Sequence, residues 1–472
     1  MKKIIAALSG ALMIIPFVSG LRASALNFPL KSQINSESAI VVNLDSDVII
    51  HEKNADAQQM PGALVNIMTA VVCLESCGDL NQEVTIDDTL YPDLYTYEYP
   101  DDLRFADIYG GDVLTISDLL HAMMLTSSVE ASTNLVKAVC GNDTNAFVEK
   151  MNAKAKEIGL TSTNFTNATG LYDTNQYTTA RDMAKLTEYA LAVPLFEGIA
   201  TTGEYNPTVP NLQTHPNHQE WIWKNSNIMM DAESEYFYSG AKGIKTANLT
   251  AAGRNIITMG SRDGNNYLVV LLKAPINGPD DELKFYHIED AISVFDWAFN
   301  HFSYQVILAE TVEVGELPVT LAEGNDYVLA RPKEEVSLLW YDEVDTSLIK
   351  KDDITWDYES VQAPVSKGQR LGEVSLKYSG EELGKVELIA VSNVKRSVSK
   401  YNLYAAGRFK ESKWFKNAFI ISGILCAIYI IICVYSYICY KRRERTPKSV
   451  YAVPKMKNSK KKKSADSRKN SQ

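Results

Sequence analysis

The sequence contains few of the residues that build stapled, fibrous or low-complexity proteins. It has only 6 cysteines, 25 glycines and 16 prolines among its 472 residues. The low cysteine content excludes a fold built on disulfides, and the glycine and proline contents exclude a collagen-like chain. Hydrophobic residues at 46% and charged residues at 22% are instead typical of a folded protein, long enough for about three domains.

The N-terminus has the pattern of an export signal. Lys2 and Lys3 precede an apolar run over residues 4–18, and Ala-Ser-Ala at 23–25 is a small-x-small cleavage site. The run is short for a membrane span and ends at a processing site. The sequence therefore predicts a secretory signal peptide over residues 1–25.

The other end of the chain predicts a membrane anchor. Residues 417–440 include no charged side chain and are numerous enough to cross about 30 Å of hydrocarbon. The tail at 441–472 follows, with 13 Lys and Arg against Glu444 and Asp466. By the positive-inside rule this tail is cytoplasmic, where it meets anionic lipid, and the domains before the span are outside the cell. The chain is thus expected in the cell membrane with a single span.

The net charge separates the exported part from nucleic-acid-binding proteins. The whole chain carries −11, and without the tail and the three cations of the signal peptide residues 26–440 carry about −25. Such an acidic surface argues against binding DNA or RNA. We also expect no metal centre and no cofactor, because Cys73 and Cys77 lack the further His or Cys ligands that a metal site needs.

Hydrophobic periodicity predicts helices mixed with strands, and then strands alone. The predicted helices cover 63–74, 117–139, 145–158, 179–192 and 286–302. The predicted strands before residue 303 cover 39–44, 48–50, 225–227, 243–260 and 267–273. From 303 to 401 short strands alternate with turn signals. The chain is therefore expected to be an α/β domain followed by a small all-β domain.

Several sequence blocks, in order, resemble the low-molecular-mass penicillin-binding proteins, which are serine-type D-alanyl-D-alanine carboxypeptidases of the cell wall. The blocks are AIVVNLDSDVIIHEKNADAQQMPGALVNIMTAVVCLE, LLHAMMLTSSVEASTNLVKAVCG, NFTNATGLYDTNQYTTARDMAKL, WKNSNIMM, GIKTANLTAAGRNIITMGSRDGNNYLVVLL and APVSKGQRLGEVSL. The resemblance implies an α/β (α+β) transpeptidase or β-lactamase-like domain with a central antiparallel sheet at 26–302. It also implies a β-rich domain at 303–401, a spacer at 402–416, the transmembrane helix at 417–440 and the basic tail at 441–472.

The catalytic motifs of that family are degenerate here. The family uses Ser-x-x-Lys, in which the Ser oxygen attacks a carbonyl and the Lys one turn later accepts its proton. The resemblance places Ala63 and Asn66 at these two positions. A methyl group cannot attack, and an amide cannot act as a base near neutral pH.

The two other family motifs are kept in part. Ser127-Ser128-Val129 retains the Ser of Ser-x-Asn but has Val129 in place of the Asn. Lys245-Thr246-Ala247 retains the cation and hydroxyl of Lys-Thr-Gly, with a methyl where Gly allows close approach of a ligand. The resemblance therefore indicates Ser127, Lys245 and Thr246 as substrate-binding residues, whereas Ala63, Asn66, Ser127 and Val129 form a degenerate catalytic set.

Two functions remain open at this point. The first is an inactive, membrane-anchored homologue that binds a cell-wall stem peptide or another envelope protein. The alternative is an active D-alanyl-D-alanine carboxypeptidase with a different nucleophile, such as Ser127 activated by Lys245. The loss of both the nucleophile and the base, at Ala63 and Asn66, favours the first.

Overall fold

The computed structural model describes residues 26–91, 94, 96–207 and 221–444. The predicted signal peptide and the tail beyond residue 444 lie outside the described residues. The strands are β1 (Ser38–Asn43), β2 (Val48–Lys53), β3 (Glu83–Thr85), β4 (Val113–Thr115), β5 (Glu204–Tyr205), β6 (Trp223–Lys224), β7 (Ala241–Leu249), β8 (Gly253–Arg262), β9 (Asn265–Ala274), β10 (Phe302–Leu308), β11 (Gly315–Thr320), β12 (Tyr327–Pro332), β13 (Val336–Tyr341), β14 (Lys350–Trp356), β15 (Val361–Gln362), β16 (Arg370–Tyr378) and β17 (Glu381–Ala390). The α-helices are α1 (Asn66–Ser76), α2 (Ile116–Thr126), α3 (Val129–Cys140), α4 (Thr144–Ile158), α5 (Ala180–Ala192), α6 (Phe196–Ala200), α7 (Tyr286–His301), α8 (Val398–Glu411) and α9 (Lys413–Glu444).

A five-stranded antiparallel sheet forms the centre of the first domain, with strand order β2-β1-β9-β8-β7. Its middle strand β9 is buried from Tyr267 to Leu272, since α7 packs against β9 and β8 while α5 packs against β9 and β1. Helix α7 lies so close to β8 that a Cβ at Gly260 would be 2.7 Å from the ring of Phe295. The central antiparallel sheet predicted from the sequence is confirmed.

The helical part packs around α1, in which every residue from Asn66 to Cys73 is buried. A short 3₁₀ helix, Gly62–Val65, leads directly into α1 and carries Ala63. Helices α2 to α5 contact α1 or one another and complete this layer. One end of α1 thereby lies beside the edge strand β7, which contacts the 3₁₀ helix.

Three details differ from the pattern predicted by periodicity. The helix expected at 117–139 is interrupted, because Ser127 takes a left-handed conformation (φ 64°) and Ser128 caps α3 by accepting a hydrogen bond from the Ala131 amide. The strand expected at 243–260 is two strands, since the Thr250 amide leaves the ladder and donates to Asp102. No strand forms at 225–227, where the Asn227 side chain caps a 3₁₀ helix instead.

The β-rich part begins with β10, which pairs with β13 in an antiparallel ribbon. Strands β14, β16, β17 and β12 lie side by side in antiparallel order. Phe28, from the start of the described chain, packs against this part, with its ring 5.3 Å from Trp340 and 5.5 Å from Phe302. These residues belong to one compact unit that also includes the central sheet.

A second compact unit consists, among the described residues, of Val319–Tyr327, Gln362–Pro364 and residues 394–444. Within it Lys400, in the first turn of helix α8, donates from its side-chain amine to the carbonyl of Ala322 at 3.0 Å. Helix α9 has 32 residues, a mean hydropathy of 2.6 in its apolar window, and no buried residue in that window. It is long and apolar enough to cross a membrane, and it extends beyond the predicted span of 417–440 at both ends.

Candidate functional site

A cavity of about 270 Å³ lies where the helical part meets the edge strand β7. It is lined by Ala63, Asp102, Arg104, Thr126, Ser127, Val129, Thr169, Gly170, Leu171, Ser226, Ile228, Thr246, Ala247, Asn248, Leu249, Arg254, Phe285, His287 and Ile288. Of the residues singled out by sequence, the cavity brings together Ala63, Ser127, Val129 and Thr246. Asn66 and Lys245 are completely buried and are not part of its lining.

The wall around Ala63 is closely packed and apolar. A Cβ added at Gly62 would be 3.1 Å from the methyl carbon of Ala247, so these two positions share one small space. A Cβ at Gly170 would be 2.4 Å from the Gly62 carbonyl oxygen, and Gly170 has a φ of +82° that glycine adopts most easily. We call Gly62, Ala63, Gly170 and Ala247 the nucleophile corner, because the resemblance aligns Ala63 with the family's attacking serine.

Asn66 lies directly behind this corner. Its amide nitrogen donates to the carbonyl of Ala168 at 3.1 Å and to that of Thr169 at 3.4 Å. Its amide oxygen is buried and has no hydrogen-bond partner among the described residues. The amide therefore connects the loop before Gly170 to α1. It does not provide a base beside Ala63.

The two serines between α2 and α3 have different roles. Ser127 lines the cavity, and its backbone N–H donates to the Met123 carbonyl at 3.1 Å. Ser128 is fully buried, and its hydroxyl donates to the Glu130 carboxylate at 2.6 Å. Burial raises the pKa of Glu130, although this hydrogen bond and two backbone amides oppose the shift. Ser128 thus has a structural partner, whereas Ser127 is among the residues that line the cavity.

Lys245 caps the C-terminal end of α2. Its side-chain amine donates to the carbonyls of Met123 and Met124 at 2.8 and 2.7 Å in the last turn of the helix, and the Met123 carbonyl also accepts from the Ser127 N–H. Complete burial lowers the pKa of Lys245 well below its usual value. Among the described residues no hydrogen bond joins its amine to the Ser127 hydroxyl, and its role in substrate binding stays a prediction.

Thr246 reaches the cavity from β7 and is joined to the opposite loop. Its hydroxyl is 2.7 Å from the hydroxyl of Ser226, and the Ser226 amide donates to the Leu125 carbonyl at 2.9 Å. This pair connects the strand to the end of α2. It places two hydroxyl groups at the cavity, and among the described residues neither forms a hydrogen bond with a basic side chain.

The far wall of the cavity carries charged and titratable groups that sequence reasoning missed. Arg254 is 6% exposed and stacks on Phe285, with 4.5 Å between its guanidinium carbon and the ring centre. Burial, and secondly the charge of Arg104, lower the pKa of Arg254. Burial and the Arg254 charge lower the pKa of His287 to about 3, so this imidazole is neutral at physiological pH.

Asp102 completes this wall, and its Oδ1 accepts hydrogen bonds from the amide and hydroxyl of Thr250 at 2.8 and 2.7 Å. We call Asp102, Arg104, Arg254 and His287 the arginine corner. Its members come from three distant parts of the chain, without a local motif. No spacing in the sequence could have grouped them.

A possible cation-binding cluster lies away from the cavity at His301, Asp342 and Glu343. It is mostly exposed, and Glu343 already pairs with Lys31 at 2.7 Å. His301 Nδ1 is 3.1 Å from an Asp342 oxygen. These contacts are those of an ordinary surface ion-pair group.

Two family models match the two folded parts of the chain. The sequence model for D-alanyl-D-alanine carboxypeptidases matches residues 24–275, and that for the C-terminal domain of penicillin-binding protein 5 matches residues 308–396. D-alanyl-D-alanine carboxypeptidase DacF of Bacillus subtilis is 24% identical over 407 residues, covering 84% of this chain and 96% of its own. DacC of Escherichia coli is 25% identical, covering 82% and 91%.

Solved structures agree in fold. The carboxypeptidase DacD from Francisella tularensis aligns with a TM-score of 0.57 and 18% identity, over 80% of this chain and 97% of its own. Penicillin-binding protein 5 from Haemophilus influenzae aligns with a TM-score of 0.53 and 22% identity, over 78% and 100%. The resemblance and the fold class predicted from the sequence are confirmed.

Proposed function

Since the chain belongs to the family of the D-alanyl-D-alanine carboxypeptidases, we propose that it is a catalytically inactive member that binds a cell-wall stem peptide, or an envelope protein presenting a similar segment. The observation that carries this proposal is Ala63. Ala63 lines the cavity, and the resemblance aligns it with the serine whose hydroxyl attacks in the family. In a serine hydrolase, loss of the nucleophile costs about 10⁶ in rate.

The missing hydroxyl is one reason to expect a catalytically inactive protein. The side chain at position 66 is a second reason. The amide of Asn66 donates to two carbonyls and has no basic atom to offer a nucleophile. Retention of a lined cavity with the hydroxyls of Ser226 and Thr246 supports binding rather than a purely structural role.

The test is exposure of the purified protein to a labelled β-lactam and to a pentapeptide ending in D-Ala-D-Ala. We expect no covalent adduct in the intact mass of the denatured protein, no release of D-Ala, and saturable binding of the peptide by calorimetry. A mass increase equal to one β-lactam would refute inactivity. Absence of peptide binding would refute the binding role.

An active enzyme that uses Ser127 is the second candidate, favoured by the position of Ser127 in the cavity. It requires an amine to accept the hydroxyl proton. Lys245 instead directs its amine at the carbonyls of Met123 and Met124. If an adduct forms after all, its loss in Ser127→Ala would identify this route.

The proposed location is the outer face of the cell membrane, with helix α9 as the anchor and the basic tail in the cytoplasm. The charge of the tail and the apolar length of α9 support this orientation. Protease added to intact cells should remove the folded domains and leave the tail protected. Cleavage of the tail in intact cells would reverse the orientation.

A further inference from the structure

The buried side chain of Glu130, in the first turn of α3, holds a short stretch of backbone beside the cavity. We call this stretch, residues 104–108, the latch segment. Oε2 of Glu130 accepts hydrogen bonds from the Ala106 amide at 2.8 Å and from the Ser128 hydroxyl at 2.6 Å. Oε1 accepts from the Ile108 amide at 3.3 Å. Glu130 is only 4% exposed, so this carboxylate depends on these three donors rather than on water.

The latch segment connects the carboxylate to the wall of the cavity. Arg104, at the start of the segment, lines the cavity, and its carbonyl accepts from the Val129 amide at 3.0 Å. From the other side, the indole N–H groups of Trp221 and Trp223 donate to the Ala106 carbonyl at 3.1 and 3.0 Å. A movement of the latch segment would therefore change the position of Arg104 at the cavity.

The backbone between the two bound amides has an uncommon conformation. Asp107 has a φ of 55°, in the left-handed region that few residues other than glycine adopt. The amides on either side of it, those of Ala106 and Ile108, both donate to Glu130. Such a conformation persists where the surrounding contacts hold it, and it is frequent in segments that switch between two states. Here the contacts that span the turn are the two hydrogen bonds to Glu130.

A proton on Glu130 weakens this attachment in two ways. Hydrogen bonds accepted by a charged carboxylate are about twice as strong as bonds to a neutral acceptor. The acid form also carries an O–H donor, which has to share two oxygens with donors that already point at them. Two of the three affected bonds are those that hold the latch segment.

The surroundings of Glu130 favour uptake of that proton. Burial raises the pKa of Glu130 above its usual value of 4.5, and the charge of Asp107 acts in the same direction. The hydrogen bonds from Ser128 and from the two amides oppose the shift without cancelling it. Glu130 therefore takes up its proton at a higher pH in the folded protein than in an unfolded chain.

The other charged and titratable groups around Glu130 do not stabilise its negative charge. Burial and the charge of Glu130 raise the pKa of Tyr91, so this phenol is neutral, and Asp88 and Asp87 act on it in the same direction. The cations of the neighbouring segments are engaged elsewhere. Arg104 donates to backbone carbonyls, and Lys224 pairs with a different carboxylate. Among the described residues no cation forms an ion pair with Glu130.

We propose that Glu130 is a pH-sensitive latch: its carboxylate holds residues 104–108 in place, and uptake of a proton releases them and loosens the wall of the cavity at Arg104. Glu130 is thus a positioning residue. The inference goes beyond the proposed function, because the latch acts on the chain itself whether or not the cavity binds a ligand.

The test is amide hydrogen exchange of the full-length protein in detergent between pH 7 and pH 4, read by mass spectrometry of peptides that cover the latch segment. Each rate is divided by that of an unstructured peptide at the same pH, which removes the intrinsic pH dependence of exchange. We expect protection of the latch segment to fall by about 10-fold or more, with a midpoint above pH 4.5, while protection of β9 stays constant. Constant protection of the latch segment over this range would overturn the proposal.

Glu130→Gln imitates the protonated form, because its amide is neutral and carries donors. Its latch segment should exchange at pH 7 as fast as that of the original protein at pH 4, with no transition between them. Glu188→Gln is the matched control. Burial raises the pKa of Glu188 too, but this residue is on α5, and among the described residues it accepts no hydrogen bond from the latch segment. It should keep the original transition, whereas a transition that persists in Glu130→Gln would refute the latch.

Asp107→Asn separates a pH-sensitive latch from a purely structural carboxylate. Asp107 is exposed, and Asn tolerates the left-handed conformation as Asp does, so the variant should fold. Without the negative charge of Asp107, the midpoint should move to lower pH at low ionic strength, and the shift should shrink as salt is added. A purely structural Glu130 would give faster exchange in Glu130→Gln but no such shift. An unchanged midpoint in Asp107→Asn would therefore overturn the proposal.

Discussion

The nucleophile corner and the arginine corner line the same cavity but have opposite character. In the first, glycines and methyl groups fill the space, and a Cβ added at Gly62 would lie only 3.1 Å from the methyl carbon of Ala247. In the second, a guanidinium, an imidazole and a carboxylate are buried with unpaired atoms. Under the proposed function, the first wall has lost the groups needed for catalysis, whereas the second has polar side chains that a ligand could contact.

The largest expected effect comes from rebuilding the nucleophile corner. Ala63→Ser, Asn66→Lys, Val129→Asn and Ala247→Gly together should allow slow acylation by a β-lactam, because they return nucleophile, base, amide donor and room beside β7. A lysine at position 66 would meet the same Ala168 carbonyl that now accepts from the amide. The measurement is the intact mass after incubation with the β-lactam.

Ala63→Ser alone is the control for the rebuilt variant, and it should not acylate because its hydroxyl lacks a proton acceptor. The cost of the change at Asn66 is about 1–3 kcal/mol of stability, as for other overpacked sites. A folded quadruple variant that forms no adduct would mean that the cavity differs from that of active relatives at further positions.

The second effect concerns the arginine corner and pH. The pKa of His287 is about 3 in the folded protein and is near 6.5 in an unfolded chain. Between these values only the unfolded chain takes up the proton, so the free energy of unfolding should fall as the pH is lowered from 6.5 to 3. The expected slope is about 1.4 kcal/mol per pH unit, and His287→Asn should lack this contribution.

Denaturant unfolding at several pH values between 7 and 4 measures that slope. Above pH 7 the imidazole is neutral in the folded and in the unfolded state. The difference in unfolding free energy between the original protein and His287→Asn should therefore be constant there. Parallel curves down to pH 4 would contradict the burial of a neutral His287 beside Arg254.

The smallest of the three effects tests the packing of the nucleophile corner. Gly170→Ala would bring a Cβ to 2.4 Å from the Gly62 carbonyl, whereas Gly159 has a similar φ of +84° and no heavy atom within 4 Å of its Cβ position. Gly159→Ala therefore isolates the cost of the left-handed backbone. We expect Gly170→Ala to be less stable than this control by about 1–3 kcal/mol, measured by denaturant unfolding. Equal stabilities of Gly170→Ala and Gly159→Ala would mean that the loop at Gly170 can shift at little energetic cost.

The sequence predicted those parts of the site whose positions are set by local motifs. Ala63, Ser127 and Thr246 were identified because each is part of a short block with a fixed place in the fold, and all three line the cavity. The break of the helix at Ser127 was missed, since apolar periodicity continues across it. The left-handed turn there depends on capping by Ser128, a local hydrogen bond that periodicity does not register.

The arginine corner was not predictable in the same way. Asp102 ends a short 3₁₀ helix (Pro100–Asp102), Arg254 lies on β8 and His287 on α7. Their proximity depends on how α7 and this 3₁₀ helix pack beside the sheet, which no single segment encodes. The burial of Lys245 was missed for a related reason, because the motif gives its strand position but not the helix end against which its amine packs.

The small space shared by Gly62 and Ala247 bears on whether such a protein could gain activity by natural mutation. A lone change of Ala247 to glycine would leave a gap beside Gly62, and a lone serine at position 63 would have no base. Neither single substitution gives a catalytic gain on which selection could act, and the change at Ala247 is expected to lower stability. Under the proposed function, the lineage of this chain is separated from its active relatives by several mutations that are useful only together, so it is free to specialise in recognition.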